Sequence, residues 1–192
     1  MRETVSKRKL LCVILVVLSL LVVVLGIAVF VERALERRAC KLTYATLIGK
    51  YAARYALDPY LVAAVIHIES GNDPTALSKS GAIGLMQVMP ETGGWIAQKL
   101  SMDDFSEDML CDPETNIAFG CWYLHFLLER YDTPVAIAAY NAGQGTVDKW
   151  LADVSVTQDG ALVNIPYPET ANYVKKVTHA YEKYRQLYKD AF

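Results

Sequence analysis

One run of sequence restricts this chain more than any other. From Leu10 to Val31 there are 22 consecutive residues without a charge. At a helical rise of about 1.5 Å per residue, a run of that length covers the roughly 30 Å hydrocarbon core of a bilayer. A single transmembrane helix is the expected structure. A cleaved secretory leader is the competing reading, but its apolar region spans about 7–15 residues and ends in a small-x-small site. Here the run is longer and is followed by the charged stretch VERALERRACK, so the helix is read as a retained anchor. The chain then divides into residues 1–9 before the span, 10–31 as the span, 32–41 as a linker and 42–192 as a folded domain.

Charge is split unevenly across that boundary. Of 19 Lys and Arg, 8 fall in residues 1–41, and of 21 Asp and Glu only 3 do, so residues 42–192 carry a net charge of about −7. An acidic domain without a basic stripe argues against nucleic acid as a partner. Flanking the span, Arg2, Lys7, Arg8 and Lys9 on one side match Arg33, Arg37, Arg38 and Lys41 on the other, so the positive-inside count does not orient it.

The soluble part reads as successive helices. Leu42 to Leu57 places Leu47, Tyr51 and Arg54/Tyr55 at three-to-four spacing. Asp58 is an N-cap with Pro59 at the first helical position, and Pro59 to Ser70 is nearly all apolar, as a buried central helix is. Gly71 ends it. Residues 71–84 are turn chemistry, rich in Gly, Ser, Asn and Asp-Pro. Pro90 opens a helix to about Leu100, and Ser101 to Cys111 reads as a polar surface connection. Helices are expected over Asp112–Tyr131, Thr133–Asn141, Thr146–Ala152 and Glu169–Leu187, with Gly143 and Gly145 as breakers and a turn at Asp159-Gly160. The fold class is all-α, with any sheet limited to a hairpin near Ile83–Val88 or Val154–Asn164.

The cysteines form no framework. Cys12 lies in the span and Cys40 just after it, while Cys121 stands more than two helical turns from Cys111, about 13 Å against a disulfide limit near 7 Å. No CxxC or Cys/His cluster points to a metal, and nothing calls for a cofactor.

Chemistry concentrates in Ala63–Pro90. Glu69 sits in the last turn of an apolar helix, where the helix dipole disfavours a negative charge and no cation is adjacent. Both effects, and desolvation, raise a carboxyl pKa. A carboxylic acid held protonated near neutral pH is what glycosidic cleavage needs to protonate its leaving oxygen. His67 is about 200° round the helix from Glu69, so the two form no dyad, and His67 reads as a packed, hydrogen-bonded histidine. Asp73 is the other acid in the stretch, and as part of Asp-Pro it reads as turn structure. Met86 reads as core, Met89 as core or groove, and Gln87 as a groove residue.

Three ordered motifs now stand together: Ile68-Glu69-Ser70-Gly71 with Asn72-Asp73-Pro74, then Gly81-Ala82-Ile83-Gly84-Leu85-Met86-Gln87-Val88-Met89-Pro90, then Ala138-Ala139-Tyr140-Asn141-Ala142-Gly143. With a late Ile165-Pro166-Tyr167-Pro168-Glu169-Thr170 and Tyr173-Val174, they span most of residues 42–192 and resemble the soluble lytic transglycosylase (SLT) domain. The resemblance implies a helical, goose-type-lysozyme-like fold that cleaves the β-1,4 bond between N-acetylmuramic acid and N-acetylglucosamine in peptidoglycan. It implies a 1,6-anhydromuramic product, formed without added water. By the same resemblance Glu69 is the catalytic acid and then base. Ser78, which composition alone does not separate from Ser80, would help polarise the substrate. Gln87 and Met89 would line the groove, Tyr140 would contact substrate and hydrogen-bond near the acid, and Asn141 would anchor the turn. Glu169 would bind substrate at the groove edge, and Tyr173 would join the substrate-binding set. Ile83 departs from the family's usual small residue.

The partners implied are glycan strands and, through the anchor, the membrane; a wall substrate would put the C-terminal side outside. Two alternatives stand beside this. A hydrolytic muramidase would need a second carboxylate about 5–9.5 Å from the acid. A non-catalytic wall-binding or scaffold module would not need Glu69 at all.

Overall fold

The computed structural model describes residues 2–158 and 161–192, and it divides into two units, Met1–Lys41 and Leu42–Phe192. The first unit is one helix, α1 (Arg2–Ala39), whose large apolar side chains from Leu15 to Val31 are exposed. Leu15–Ala39 is long and apolar enough to cross a membrane. The helix does not stop at the end of the apolar run. It continues through Arg33, Arg37 and Arg38, so the stretch expected as a linker is largely helical.

The second unit is a helical assembly around α3 (Pro59–Ser70). Asp58 caps α3 by accepting from Tyr60 N at 2.8 Å, with Pro59 in the first turn, where its missing N–H is no loss. From Leu61 to Ile66 every residue is buried, which is why the sequence is apolar on all sides rather than along one stripe. Its main neighbour is the terminal helix α8 (Pro168–Leu187), and α2 (Ala45–Arg54) packs on another side. Gly71 ends α3 in the left-handed region at φ 61°, returning its N–H to His67 O.

The remaining helices are α4 (Pro90–Lys99), α5 (Pro113–Leu128), α6 (Thr133–Ala142) and α7 (Gln144–Leu151). Asp112 and Asp132 cap α5 and α6, each beside a first-turn proline. Three differences from the sequence reading have physical causes. Residues 101–111 are not purely a surface connection: Glu107–Cys111 forms a 3₁₀ turn that inserts fully buried Leu110, and Phe105 packs on Phe119 at 5.5 Å. Gly143 alone breaks the chain between α6 and α7, at φ 84°, and Gly145 lies inside α7. The first helix of this unit starts at Ala45, because Tyr44 takes a left-handed conformation at φ 60°.

Among the described residues, sheet is confined to two small places. β1 (Thr157–Gln158) and β2 (Ala161–Leu162) pair antiparallel, with Thr157 opposite Leu162. The turn expected at Asp159-Gly160 lies outside the described residues. Isolated bridges join Leu77 to Ile83 and Ile83 to Val88. Cys111 is exposed and Cys121 is buried in α5, and both are free thiols. Burial pushes the Cys121 thiol far up.

The loop between α3 and α4 is held by α5. Buried Asn116 accepts from Met86 N at 2.7 Å and donates to Ile83 O at 2.8 Å and Leu110 O at 2.7 Å. Two glycines permit the fit. A methyl group on Gly120 would run into the Met86 side chain, and one on Gly84 into Asn116 and the Leu110 carbonyl. Met86 and Leu85 are consequently fully buried. Removing the Asn116 amide leaves three backbone groups without their partner, each worth about 1–3 kcal/mol when buried and unsatisfied. Asn116→Ala is expected to destabilise the full chain in detergent by about 3 kcal/mol, measured by urea unfolding followed through tryptophan fluorescence.

Candidate active site

Glu69 is the penultimate residue of α3, at the end where α3 meets the loop and α8. Ser70 fastens that end: its Oγ lies 2.9 Å from Leu85 O and 3.1 Å from Ile66 O, and it accepts from Asn72 N at 3.2 Å. The carboxyl group next to it is mostly buried. Tyr173 of α8 donates its hydroxyl to Glu69 Oε1 at 2.6 Å. Burial raises the Glu69 pKa from 4.5 to about 7, and the Tyr173 hydrogen bond pulls in the opposite direction. Desolvation wins because one neutral donor cannot replace the water that a carboxylate loses on burial. Both Tyr173 and Tyr140 have hydroxyls pushed well above their ordinary range by burial and by the charge on Glu69, so each remains a proton-bearing donor.

The loop supplies one wall of a groove. Gly84 and Gln87 adopt positive φ, 79° and 48°, in the turn that carries Leu85 and Met86 inward. A glutamine in that region is strained, and its own side chain offsets the strain by donating Nε2 to Ala76 O at 3.1 Å and Gly84 O at 3.0 Å. Gln87 and Met89 line a cavity of about 260 Å³ together with Thr92, Tyr123, Tyr140 and Asn141. Met89 is exposed at 39%, unlike buried Met86, which separates the groove methionine from the core one.

The expected site residues are not all in one place. Gln87, Met89, Tyr140 and Asn141 share the groove. Tyr173 is buried rather than groove-lining, and it is the tyrosine bonded to the acid; Tyr140 instead donates to Met86 O at 2.9 Å. Asn141 accepts from Thr170 Oγ1 at 2.8 Å, which ties α6 to α8 rather than closing a turn. Glu169 precedes that threonine in the first turn of α8 and is exposed. Ser78 is half-buried, its Oγ accepting from Ala82 N at 2.9 Å inside the loop. Asp73 is exposed and bonded to Thr75 N and Oγ1, both at 2.8 Å, as turn structure. His67 packs edge-on to Tyr184 at 6.0 Å, but its buried Nδ1 has no hydrogen-bond partner; desolvation lowers its pKa and keeps it neutral.

Asn116, Thr92 and Tyr123 were not singled out by sequence, and Thr170 stood only in a motif, without a role. Asn116 left one trace, as an amide immediately before the mostly apolar run from Ile117 to Leu128.

A helical domain with a carboxyl group of raised pKa near an aromatic-walled groove belongs to the lysozyme-like class. Within that class the chain belongs to the SLT transglycosylase family: the profile described as the transglycosylase SLT domain matches residues 46–162, more than half of the chain. It is 34% identical over 152 residues to the soluble lytic murein transglycosylase of Escherichia coli K12, covering 77% of this chain and 23% of that protein. It is 35% identical over 168 residues to membrane-bound lytic murein transglycosylase C of Actinobacillus pleuropneumoniae, covering 75% of this chain and 46% of the relative. The crystal structure of the 70 kDa soluble lytic transglycosylase from Escherichia coli superimposes with a TM-score of 0.73 at 32% identity, over 81% of this chain and 26% of that one. The chain thus spans 23% to 46% of the length of these relatives.

The raised pKa has a consequence for stability. Between pH 4.5 and about 7 the folded chain holds a proton on Glu69 that the unfolded chain has released. Stability therefore falls as pH rises through that window, by up to about 3 kcal/mol in total. Glu69→Gln removes the titrating group. Its stability relative to wild type is expected to grow between pH 5 and pH 8 by up to that amount, read from urea unfolding at each pH.

Proposed function

We propose that this chain is a membrane-anchored peptidoglycan lytic transglycosylase. It cleaves the β-1,4 bond between N-acetylmuramic acid and N-acetylglucosamine and leaves a 1,6-anhydromuramic end. The observation that carries the reading is the state of Glu69: a carboxyl group with a pKa of about 7, close enough to Tyr140 of the groove wall for its charge to act on that hydroxyl. The names of the relatives, as lytic murein transglycosylases of soluble and membrane-bound kinds, support the same reading.

Each step follows from the groups present. Protonated Glu69 gives its proton to the glycosidic oxygen as the bond to the muramic C1 breaks. The oxocarbenium-like C1 is then attacked by the sugar's own C6 oxygen. Glu69, now a carboxylate, takes the C6 hydroxyl proton and returns to its starting state. No water is consumed, and the acid is regenerated. Tyr173 holds Oε1 at 2.6 Å, which leaves Oε2 for the sugar and supplies a donor that strengthens when Glu69 is charged. Gln87, Met89, Tyr140 and Asn141 contact the strand along the groove, while Ser78 and Glu169 approach it from the loop and from the start of α8.

Hydrolysis would need a second carboxylate to activate water. Asp73, the acid nearest in sequence, is exposed and engaged by Thr75 as turn structure, which does not favour the muramidase reading. A scaffold role gives no reason for an acid whose pKa is raised to about 7. With the wall as substrate, residues 1–9 lie in the cytoplasm, 10–31 cross the membrane once, and 32–41 lead to a catalytic domain, 42–192, outside.

Digestion of purified peptidoglycan followed by mass spectrometry is expected to give anhydromuramic ends; reducing muramic acid would make the enzyme a hydrolase. Glu69→Gln is expected to lower the rate by at least about 10³-fold. In the wild type the rate should decline above pH 7, as the acid loses its proton. Tyr173→Phe removes the interaction that lowers the Glu69 pKa, so this decline should move to higher pH.

A further inference from the structure

The acidic balance of residues 42–192 does not reach every face of the domain. Residues 175–189 hold five of the eleven Lys and Arg in that range and one of the eighteen Asp and Glu, so they carry about +4 while the rest carries about −11. The linear sequence shows no basic stripe, because these cations are spaced. Helical winding gathers them. α8 turns Tyr173, Val177, Ala180, Tyr184 and Leu187 into the core, and Lys175, Lys176, His179 and Arg185 stand exposed on its outer side, with Lys189 just past its end. Glu182 is the one carboxylate of this segment, and Arg185 Nη1 lies 3.9 Å from it. At a Debye length of about 8 Å, acids on other faces are largely screened from a ligand on this one. The local sign therefore decides what the face attracts.

The surroundings of the face select among anions. A cavity of about 410 Å³ beside its C-terminal half is lined by Tyr60, Glu182, Arg185, Gln186 and Lys189. Two cations there outnumber one carboxylate, which suits a phosphate headgroup. The same end of α8 is where the chain enters the domain: Leu42 donates its N–H to the Tyr188 hydroxyl at 3.3 Å. Leu42 stands eleven positions after Val31, the last residue of the uncharged run. A face joined to a membrane span by so short a tether meets the bilayer at an effective concentration that is roughly millimolar, so weak contacts suffice. A soluble polyanion has no such advantage.

We propose that the outer face of α8 docks on anionic phospholipid headgroups of the bilayer that holds α1. The proposal rests on the reading of Leu10–Val31 as a membrane anchor and is independent of the reaction at Glu69. Each Lys or Arg held near an anionic surface raises affinity about fivefold, so Lys175, Lys176, Arg185 and Lys189 acting together keep a tethered domain on the surface.

The test uses the full chain in nanodiscs of phosphatidylcholine, alone or mixed with phosphatidylglycerol. Lysines are acetylated with a water-soluble reagent, and the rate at each is read by mass spectrometry. In the anionic discs Lys175, Lys176 and Lys189 are expected to react at least about fivefold more slowly than in the neutral ones. Lys79, Lys99 and Lys149, exposed elsewhere in the domain, should keep their rates. In about 1 M salt, with a Debye length near 3 Å, the protection should vanish. Lys176→Glu with Arg185→Glu should release Lys175 and Lys189; if that pair fails to fold, by circular dichroism, Lys176→Glu decides alone. Equal rates in the two discs overturn the docking, as does protection that is uniform over all six lysines. Protection by soluble polyglutamate in neutral discs, with none from anionic lipid, assigns the face to a soluble polyanion and overturns it too. If the chain floats with vesicles of neither composition, the anchor reading falls and the docking with it, while cleavage of the wall is judged separately.

Discussion

The burial of one carboxyl group at the end of α3 is the constraint on which the rest depends. Glu69 is carried into a desolvated position by a helix that is apolar on every side, and the desolvation holds its pKa near 7. A helix this apolar must be enclosed, and α8 is the element that encloses it. The same packing brings Tyr173 to the acid, so core formation and site formation are one event. Tyr173 satisfies one oxygen without a full charge. A lysine or arginine there would stabilise the carboxylate and lose the proton that the chemistry requires.

The second requirement is a groove wall that does not drift relative to the acid. Ser70 joins the acid-bearing turn to Leu85, and Asn116 joins the same loop to α5. Buried Met86 fills the space that Gly120 leaves, and Tyr140 closes on its carbonyl from α6. Each of the hydrogen-bonded links uses loop backbone as a partner. A glycine-rich segment without a core of its own is thereby fixed by side chains from the helices around it. The positive φ of Gln87 belongs to this arrangement, since its amide returns to the loop it strains.

Aromatic side chains from α4, α5 and α6 stand together beside the groove, and Tyr123 touches both Tyr140 and Trp95 through ring contacts at 5.5 and 6.3 Å. The acidic balance of residues 42–192 is compatible with a neutral glycan backbone and unsuited to a polyanion.

Much of this was legible in the residues. The apolar span, the cap and proline that begin α3, the glycine that ends it, and the isolation of Glu69 among apolar neighbours are local properties, and local chemistry decides them. Met86 as core was legible for the same reason, whereas Met89 was not, because the two sit in similar sequence surroundings. What only the tertiary structure decided were the relations between distant segments. Tyr173 is 104 residues from Glu69, and Asn116 is 30 from Met86. The roles of Tyr140 and Tyr173 depend on which hydroxyl reaches the acid, and helix packing, not spacing along the chain, settles that. Leu110 was misread for the same reason: a polar stretch can still deliver one side chain to a core whose vacancy its own sequence does not record. The sequence alone determined the acid and the helix that bears it; three-dimensional packing determined its proton, its partner and its groove, because desolvation and hydrogen bonding are properties of surroundings.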